Sequence, residues 1–477
     1  MVDNINNVEK KLEADLERQG DFEDIESRIQ KDDLVDSDLA LGASQEKLIE
    51  STKKRYKLLN RAFSLKEFLD RIGYGLGAHQ WVTIFFFLSG AGAFLVGMVN
   101  ALRDVIGDFI SAFIDEYSRV RTLSKNVLSF AGIFFGFSFL GIVLGIRLQS
   151  IPIYAISVIL GSVGIVTYGQ IYTQLLDQQI KHERKAKFLK EVAHYGVLIT
   201  AIAFLVSGWL LQMFPSGTVI DISGFIVPLT GYFLIFELAA IMFILSGFIL
   251  SNIPTREITQ QNYPFKEFWR EYRHGLKSNR KIFLQNATMK LLFVASLFVS
   301  VVQSLGASFY GYFIYKLFRE YYFGGFLNVA IIFGVAILAS FIGPAFTRFV
   351  QRRAGLAPMF VFGTLLLALL PLILLFNKAF YPVLVAASLA IIGASILGVA
   401  QGLLTRKLLS LSERKAFYHS LRSISAIPFL IISGIGAWIA SAYSFELVFQ
   451  GIVGILILIV APVYFALVIK SNKRQQF

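Results

Sequence analysis

Cysteine is absent from the 477 residues. Disulfides, thiolate nucleophiles and cysteine metal sites are excluded with it. Charge is scarce as well: 16% of residues are Asp, Glu, Lys or Arg, against about 25% in soluble globular chains. The 5 histidines show no HExxH or comparable ligand spacing, which argues against a zinc enzyme. No phosphate-binding glycine-rich loop, soluble-cleft carboxylate pair or nucleophile elbow occurs, so no cofactor and no catalytic set is expected. Gly73-x-Gly75-x-Gly77 looks like half a dinucleotide fingerprint, yet no strand precedes it and an apolar run follows. Those glycines read better as a helix break or a close-packing surface. Apolar residues are what the chain has in abundance: 55% hydrophobic, 14% aromatic and a mean hydropathy of +0.63.

The formal charge of +13 is a sum of unlike parts. Residues 1–50 hold 15 acids and 6 bases, and the remainder carries 39 bases against 17 acids. The start of the chain has no apolar h-region, so it does not read as a cleaved signal peptide. It reads as a solvated acidic tail, with Val8, Leu12 and Leu16 at helical spacing and a docking module as the rival.

From residue 72 on, runs free of all four charged residue types recur at 72–102, 126–146, 148–176, 192–220, 291–315, 321–347, 354–377, 379–405, 423–445 and 447–469. The stretch 222–255 joins them, interrupted only by Glu237. A helix crosses the hydrocarbon of a bilayer in roughly 20 residues, and backbone groups in lipid must be satisfied within the segment. The expectation is an all-α integral membrane protein. Bases concentrate on one side, in 53–71, 115–125, 181–191, 256–290, 348–353, 406–422 and 470–474, while Arg147, Lys316, Arg319 and Lys378 lie opposite. The positive-inside rule makes the basic side cytoplasmic, so no nucleic-acid surface is needed to explain the charge. Both 53–71 and 115–125 then lie inside, which requires an even number of crossings between them. Two helices at roughly 65–88 and 92–115 satisfy this. They make twelve transmembrane helices with both termini cytoplasmic, in a multi-pass protein expected in the cell membrane. The rival is one helix at 77–101 preceded by an interfacial helix at 57–72, whose Leu59, Phe63, Phe68, Leu69 and Ile72 share an apolar face.

The two halves resemble each other. Ser111-x-x-x-Asp115-Glu116-x-Ser118-Arg119 precedes one glycine-rich helix, and Gly343-Pro344-x-x-Thr347-Arg348-x-x-Gln351-Arg352 precedes another. Gly92-Ala93-Phe94-Leu95 matches Gly324-Gly325-Phe326-Leu327 at an offset of 232. Glu183-Arg184-Lys185-Ala186 recurs as Glu413-Arg414-Lys415-Ala416, and Ser207-Gly208 as Ser433-Gly434. On these residues the chain, over roughly 61–470, resembles the major facilitator superfamily. The loop between helices two and three of that family carries a Gly-x-x-x-Asp-Arg-x-Gly-Arg-Arg-like motif, repeated more loosely between eight and nine. This chain keeps Asp115 and Arg119, then Gly343, Arg348 and Arg352, and departs at Ser111, Glu116 and Ser118. The helix-five Gly-Pro motif of the family's antiporters is missing from 193–213.

The resemblance implies two six-helix bundles, 61–252 and 285–470, rocking about a midplane site. A tail at 1–60, a cytoplasmic linker at 253–284 and a tail at 471–477 complete the division. It also implies that Asp115 and Arg119 lock the cytoplasmic gate, with Arg348 and Arg352 as a weaker counterpart. Helices one, four, seven and ten would line the cavity. The candidates there are His79 and Gln80; Tyr154, Ser157, Thr167, Tyr168, Gln170 and Tyr172; Gln303, Ser304, Ser308, Tyr310 and Tyr312; and Ser388, Ser395 and Gln401. Intramembrane charge is costly and marks a pathway or a partner. Glu237, taken as the middle of helix six, is therefore a candidate for accepting and releasing a proton. Asp104 and Asp108, one turn apart beside Arg103, form a buried network, an ion route or an interfacial cluster. In the linker, Phe265, Phe268, Trp269, Tyr272 and Leu276 share one face, with Lys266, Arg270, Arg273 and Lys277 nearby. That composition suits an anionic membrane surface, against a plain structural linker.

The leading expectation is a secondary transporter of a small organic solute, with proton coupling open and a monomer favoured. The alternative is a transporter-like lipid flippase, or a membrane sensor whose acidic tail binds partners.

Overall fold

The computed structural model describes residues 59–120, 125–179, 182–215, 219–222, 225–228, 230–253 and 265–474. The acidic tail and the C-terminal residues 475–477 lie outside them. The long apolar run that begins at residue 72 does not make one helix. Helix α1 covers 59–76 and α2 covers His79–Leu88, and the chain then turns through 89–92 into α3, Ala93–Val120. His79 and Arg103 touch across that turn, so the start of α2 is brought against α3. Gly90 makes the turn in the left-handed region at φ 92°, where a side chain would be strained. The break between α1 and α2 falls at the triple glycine. A Cβ on Gly73 would sit 2.7 Å from the Phe243 ring, one on Gly75 2.5 Å from Ala203 Cβ, and one on Gly77 2.5 Å from the Phe139 ring. Break and close packing both occur there.

Helices α4 (Lys125–Arg147), α5 (Ile151–Gln179) and α6 (His182–Met213) follow. A two-stranded antiparallel ribbon comes next, β1 (Val219–Ile222) paired with β2 (Phe225–Pro228), before α7, Gly231–Ser251. The ribbon corrects the all-α expectation. Residues 222–228 were counted with a helix because they are apolar, but Ile222, Phe225, Ile226 and Val227 are β-branched or aromatic and favour strands. Helix α8, Phe265–Gln285, follows and overlaps the span 253–284 read as the linker, ending one residue beyond it. The second half runs through α9 (Ala287–Leu317), α10 (Gly325–Ala339), α11 (Gly343–Ala354), α12 (Leu356–Phe376), α13 (Phe380–Leu408), α14 (Leu411–Ile424) and α15 (Ala426–Ala442). It closes with α16 (Phe445–Gly454), a π-turn at Ile455–Val460 and α17 (Ala461–Arg474).

Eight helices among the described residues are long and apolar enough to cross a membrane, or up to ten if the bent pairs α10–α11 and α14–α15 each count as one span. Their outward surface is apolar: Phe130, Phe137, Ile156, Leu198, Ile202 and Phe248 are all exposed, as expected of a surface solvated by lipid rather than water. The chain is a multi-pass membrane protein. Helices α1–α2 and α3 are not in that count. They carry Lys66, Glu67, Asp70 and Arg71 on one and Arg103, Asp104, Asp108 and Asp115 on the other.

The repeat is visible in the helix boundaries. Ala93 opens α3 and Gly325 opens α10, at the offset read from the sequence, and α5 and α13 are each 29 residues long. The second Glu-Arg-Lys-Ala segment proves to be a helix start. Ser410 and Glu413 form a reciprocal capping box on α14, which satisfies two otherwise orphaned backbone donors. Glu413 also accepts from Asn286, the cap of α9, at 2.8 Å.

The halves of the chain meet along α3 against α15 and α6 against α10. At the first crossing a Cβ on Gly97 would lie 2.5 Å from Ala437 Cβ. Overpacking a tight contact costs about 1–3 kcal/mol. Gly97→Leu is expected to lower thermal stability in detergent by that order, whereas Gly92→Ala, with open space around it, should not. Equal melting temperatures for the two variants would show that the crossing is not tight.

Candidate functional site

A cavity of about 810 Å³ lies between the halves. Its polar lining comes from Tyr74 and His79, from Arg103, Asp104, Asp108 and Ser111 on α3, from Ser138 on α4, from Ser157, Ser162 and Gln170 on α5, and from Ser300, Gln303 and Ser304 on α9. Its apolar walls include Val82, Phe135, Phe139, Ile142 and Phe429. One face of α3 organises it, because residues three or four apart stack along a helix. Asn100, Asp104, Asp108, Ser111 and Asp115 follow that spacing, and each has a distinct setting.

Asn100 Nδ2 donates to Ser308 Oγ at 3.0 Å, and Ser304 Oγ donates to Asp104 Oδ2 at 2.7 Å, so α3 is tied twice to α9. Asp104 also accepts from Arg103, at 2.6 Å from Nη2 and 3.0 Å from Nε. Arg103 Nη1 contacts both ring nitrogens of His79, with Nε2 at 3.0 Å. Ser162 Oγ donates to the Arg103 carbonyl at 2.7 Å, fixing α5 against α3. Asp108 is exposed to the cavity and has no ion pair among the described residues. Gln170 Nε2 donates to Ser111 Oγ at 2.7 Å. Finally Asp115 pairs with Arg422 of α14, joining the halves at the basic end. Arg422 had no signal in the sequence, since it is one base among several in 406–422.

The sequence candidates divide accordingly. His79, Arg103, Asp104, Asp108, Ser157, Gln170, Gln303 and Ser304 line the cavity. Tyr168 and Tyr172 do not. They close over a buried ionic cluster on α1 that sequence reasoning missed. Lys66 Nζ lies 2.8 Å from Asp70 and 3.2 Å from Glu67, and Arg71 lies 3.5 Å from Glu67. Tyr168 donates to Asp70 at 3.1 Å and lies 2.7 Å from Ser246 Oγ, and Lys66 Nζ sits 3.0 Å over the Tyr172 ring. Those side chains are occupied in satisfying buried charge. Gln80 packs beside Gly311, and Tyr310 packs on Phe449 at 5.3 Å; neither lines the cavity. Tyr154 donates to the Val82 carbonyl.

Helix α13 contributes no residue to the cavity lining, contrary to the expectation for helix ten. Gln401 is drawn instead to Ser296, at 2.6 Å, Ser388 bonds its own helix, and Ser395 abuts Gly343. Glu237 is half-buried, two turns from the start of α7 rather than at its middle, and is not part of the cavity wall. The helix begins nine residues later than its apolar run, because the ribbon occupies the difference. Arg348 and Arg352 are exposed on α11, and the Arg119 side chain lies outside the described residues. The apolar face of α8 is turned to protein: Phe268 and Tyr272 are buried, Phe113 and Tyr117 meet them edge-on, and Tyr272 lies 6.0 Å from His419. Its Lys266, Arg270, Arg273 and Lys277 point outward.

No protein-family model matches the chain, and no curated protein sequence does. Solved structures do. The nucleoside transporter NupG is 12% identical, with a TM-score of 0.66 over 86% of this chain and 98% of that one. A bacterial homologue of the iron transporter ferroportin is 14% identical over 86% of this chain and 98% of that one. It scores 0.63 in its inward-facing state and 0.52 in an outward-facing state with soaked iron. A D-xylose-proton symporter is 13% identical, with a TM-score of 0.58 over 85% of this chain and 96% of that one. The chain therefore has the fold of major facilitator superfamily transporters.

Proposed function

We propose that the protein is a secondary active transporter that moves a small organic solute through the central cavity by alternating access. The observation that carries this reading is the polar face of α3. It lines a cavity of about 810 Å³, large enough for a small organic ligand, and the same face is bonded to the second half above and below it. In this reading the chain has twelve spans in two six-helix bundles, with the basic loops and both termini cytoplasmic, in the cell membrane. Asp115–Arg422 is the cytoplasmic latch; both side chains are only half-buried, so solvent screens the pair and it can open without stranding a fully buried charge. Stacked rings join the halves at the other end, Phe85 on Phe326 and Phe87 on Tyr312. Asp108, with Arg103 and Asp104 beside it, is the candidate for proton coupling, and the outward bases of α8 face anionic lipid headgroups. Nucleosides and pentoses, the cargo classes named for two of the structural neighbours, are the first solutes to screen.

The native absence of cysteine allows a test that needs no substrate. Gln303→Cys, exposed in the cavity, should react with an impermeant thiol reagent from either face of a proteoliposome. Cross-linking Asp115→Cys to Arg422→Cys should then abolish labelling from the basic face and leave labelling from the other. Labelling from the basic face that is indifferent to the cross-link would overturn alternating access.

A further inference from the structure

A second cavity, of about 910 Å³, opens at the end opposite to the basic loops. The first half contributes Arg147, at the end of α4, and the second half Arg319, just after α9. Both guanidiniums are exposed, and neither is ion-paired among the described residues. No carboxylate lines this cavity among the described residues, whereas Ser89, Gln149 and Thr230 add further hydrogen-bonding groups. Gln149 lies just past the end of α4 with a left-handed backbone at φ 50°, and the Ser150 amide bonds back to the Gly145 carbonyl, a common way for a helix to end. The remaining wall is aromatic: Phe85, Phe214, Tyr232, Tyr315 and Phe326.

Two guanidiniums at a concave wall create a positive field that draws anions, and each can bind a carboxylate or phosphate through two parallel N–H donors. The volume is several times what a bare oxyanion needs and falls in the range of organic-ligand sites. We propose that this cavity binds an amphipathic organic anion. Its carboxylate or phosphate is held between Arg147 and Arg319, and its apolar body lies against the Phe85, Phe214 and Phe326 rings. Because one arginine belongs to each half, a bound anion also staples the halves together at this end. Both a free solute and an anionic lipid headgroup offer that chemistry. The inference does not rest on the transport reading, since binding is measured without transport.

The test uses the full chain in phosphatidylcholine nanodiscs, with 4-phenylbutyrate as probe and 4-phenylbutanol as its uncharged match. Phenylbutyrate should raise the melting temperature and phenylbutanol should not. Removing one charge-assisted contact weakens binding about tenfold, so Arg147→Gln and Arg319→Gln should each weaken phenylbutyrate binding by about that factor, and the double variant should abolish it. Both side chains are exposed, so the unliganded melting temperatures should match the wild type, and Arg147→Lys should restore part of the affinity. A shift produced by phosphatidylglycerol in the disc but not by phenylbutyrate, and lost in the double variant, assigns the site to a lipid headgroup. If neither anion shifts the wild type, or if the double variant responds like the wild type, the anion site is refuted.

Discussion

Asp70→Leu is expected to destabilise the protein by about 3–5 kcal/mol, the cost of leaving one member of a buried pair without its partner. Lys66 is 2% exposed and Asp70 is 2% exposed, at a separation of 2.8 Å. With the carboxylate removed, the ammonium retains Glu67 at 3.2 Å and the Tyr172 ring, and Glu67 is already shared with Arg71. The Tyr168 hydroxyl retains Ser246. Replacing both members of a buried pair by apolar groups is often neutral or stabilising, so Lys66→Met/Asp70→Leu should recover most of the loss. Thermal unfolding in detergent, followed by tryptophan fluorescence, reads both variants. A single variant as stable as the wild type would mean that Lys66 finds water or another acid. A double variant no better than the single would show that the cluster acts through shape rather than charge.

The second large effect concerns the cavity. Once a transported solute is identified, Asp108→Asn is expected to reduce pH-driven uptake by about 100-fold while solute counterflow continues. An interaction with a charged group is worth about 1.5–3 kcal/mol, or roughly ten- to a hundredfold. Asp108 is the carboxylate that faces the cavity without an ion pair among the described residues, whereas Asp104 is engaged by Arg103 and Ser304. Glu237→Gln should leave both rates unchanged, because that side chain is not part of the cavity wall. Equal loss of counterflow in Asp108→Asn would move the residue from coupling to solute binding. Loss of pH-driven uptake in Glu237→Gln would return the coupling role to α7.

Much of the fold was legible because lipid leaves the backbone few options. A charge-free run must bond itself, so apolar length alone marked most of the helices. The ribbon at 219–228 was not legible by that route, since a hydrophobicity count treats an apolar strand and an apolar helix alike. The polar face of α3 was partly legible: Asp104 and Asp108 share a face by spacing alone, and Asp115 was singled out by its motif. Arg422 was not, because its importance is a contact made 307 residues away, and nothing local distinguishes it from neighbouring bases. Tyr168 and Tyr172 were assigned to the cavity from their helix. Helical position names the element that carries a side chain, whereas the neighbours on α1 and α7 decide which way its polar group is satisfied.

By itself the sequence determined that this chain is a multi-pass membrane protein, that basic charge concentrates in particular loops between its apolar runs, and that its halves carry matching segments. Each follows from free energies that are nearly additive along the chain, because burying a residue in lipid or repelling a positive loop depends little on distant residues. Only the tertiary structure decided which charges pair with one another, which line the central cavity, and that Arg147 and Arg319 have no ion pair among the described residues. Electrostatic pairing acts over a few ångströms between residues far apart in the chain, so it exists only once the helices have packed.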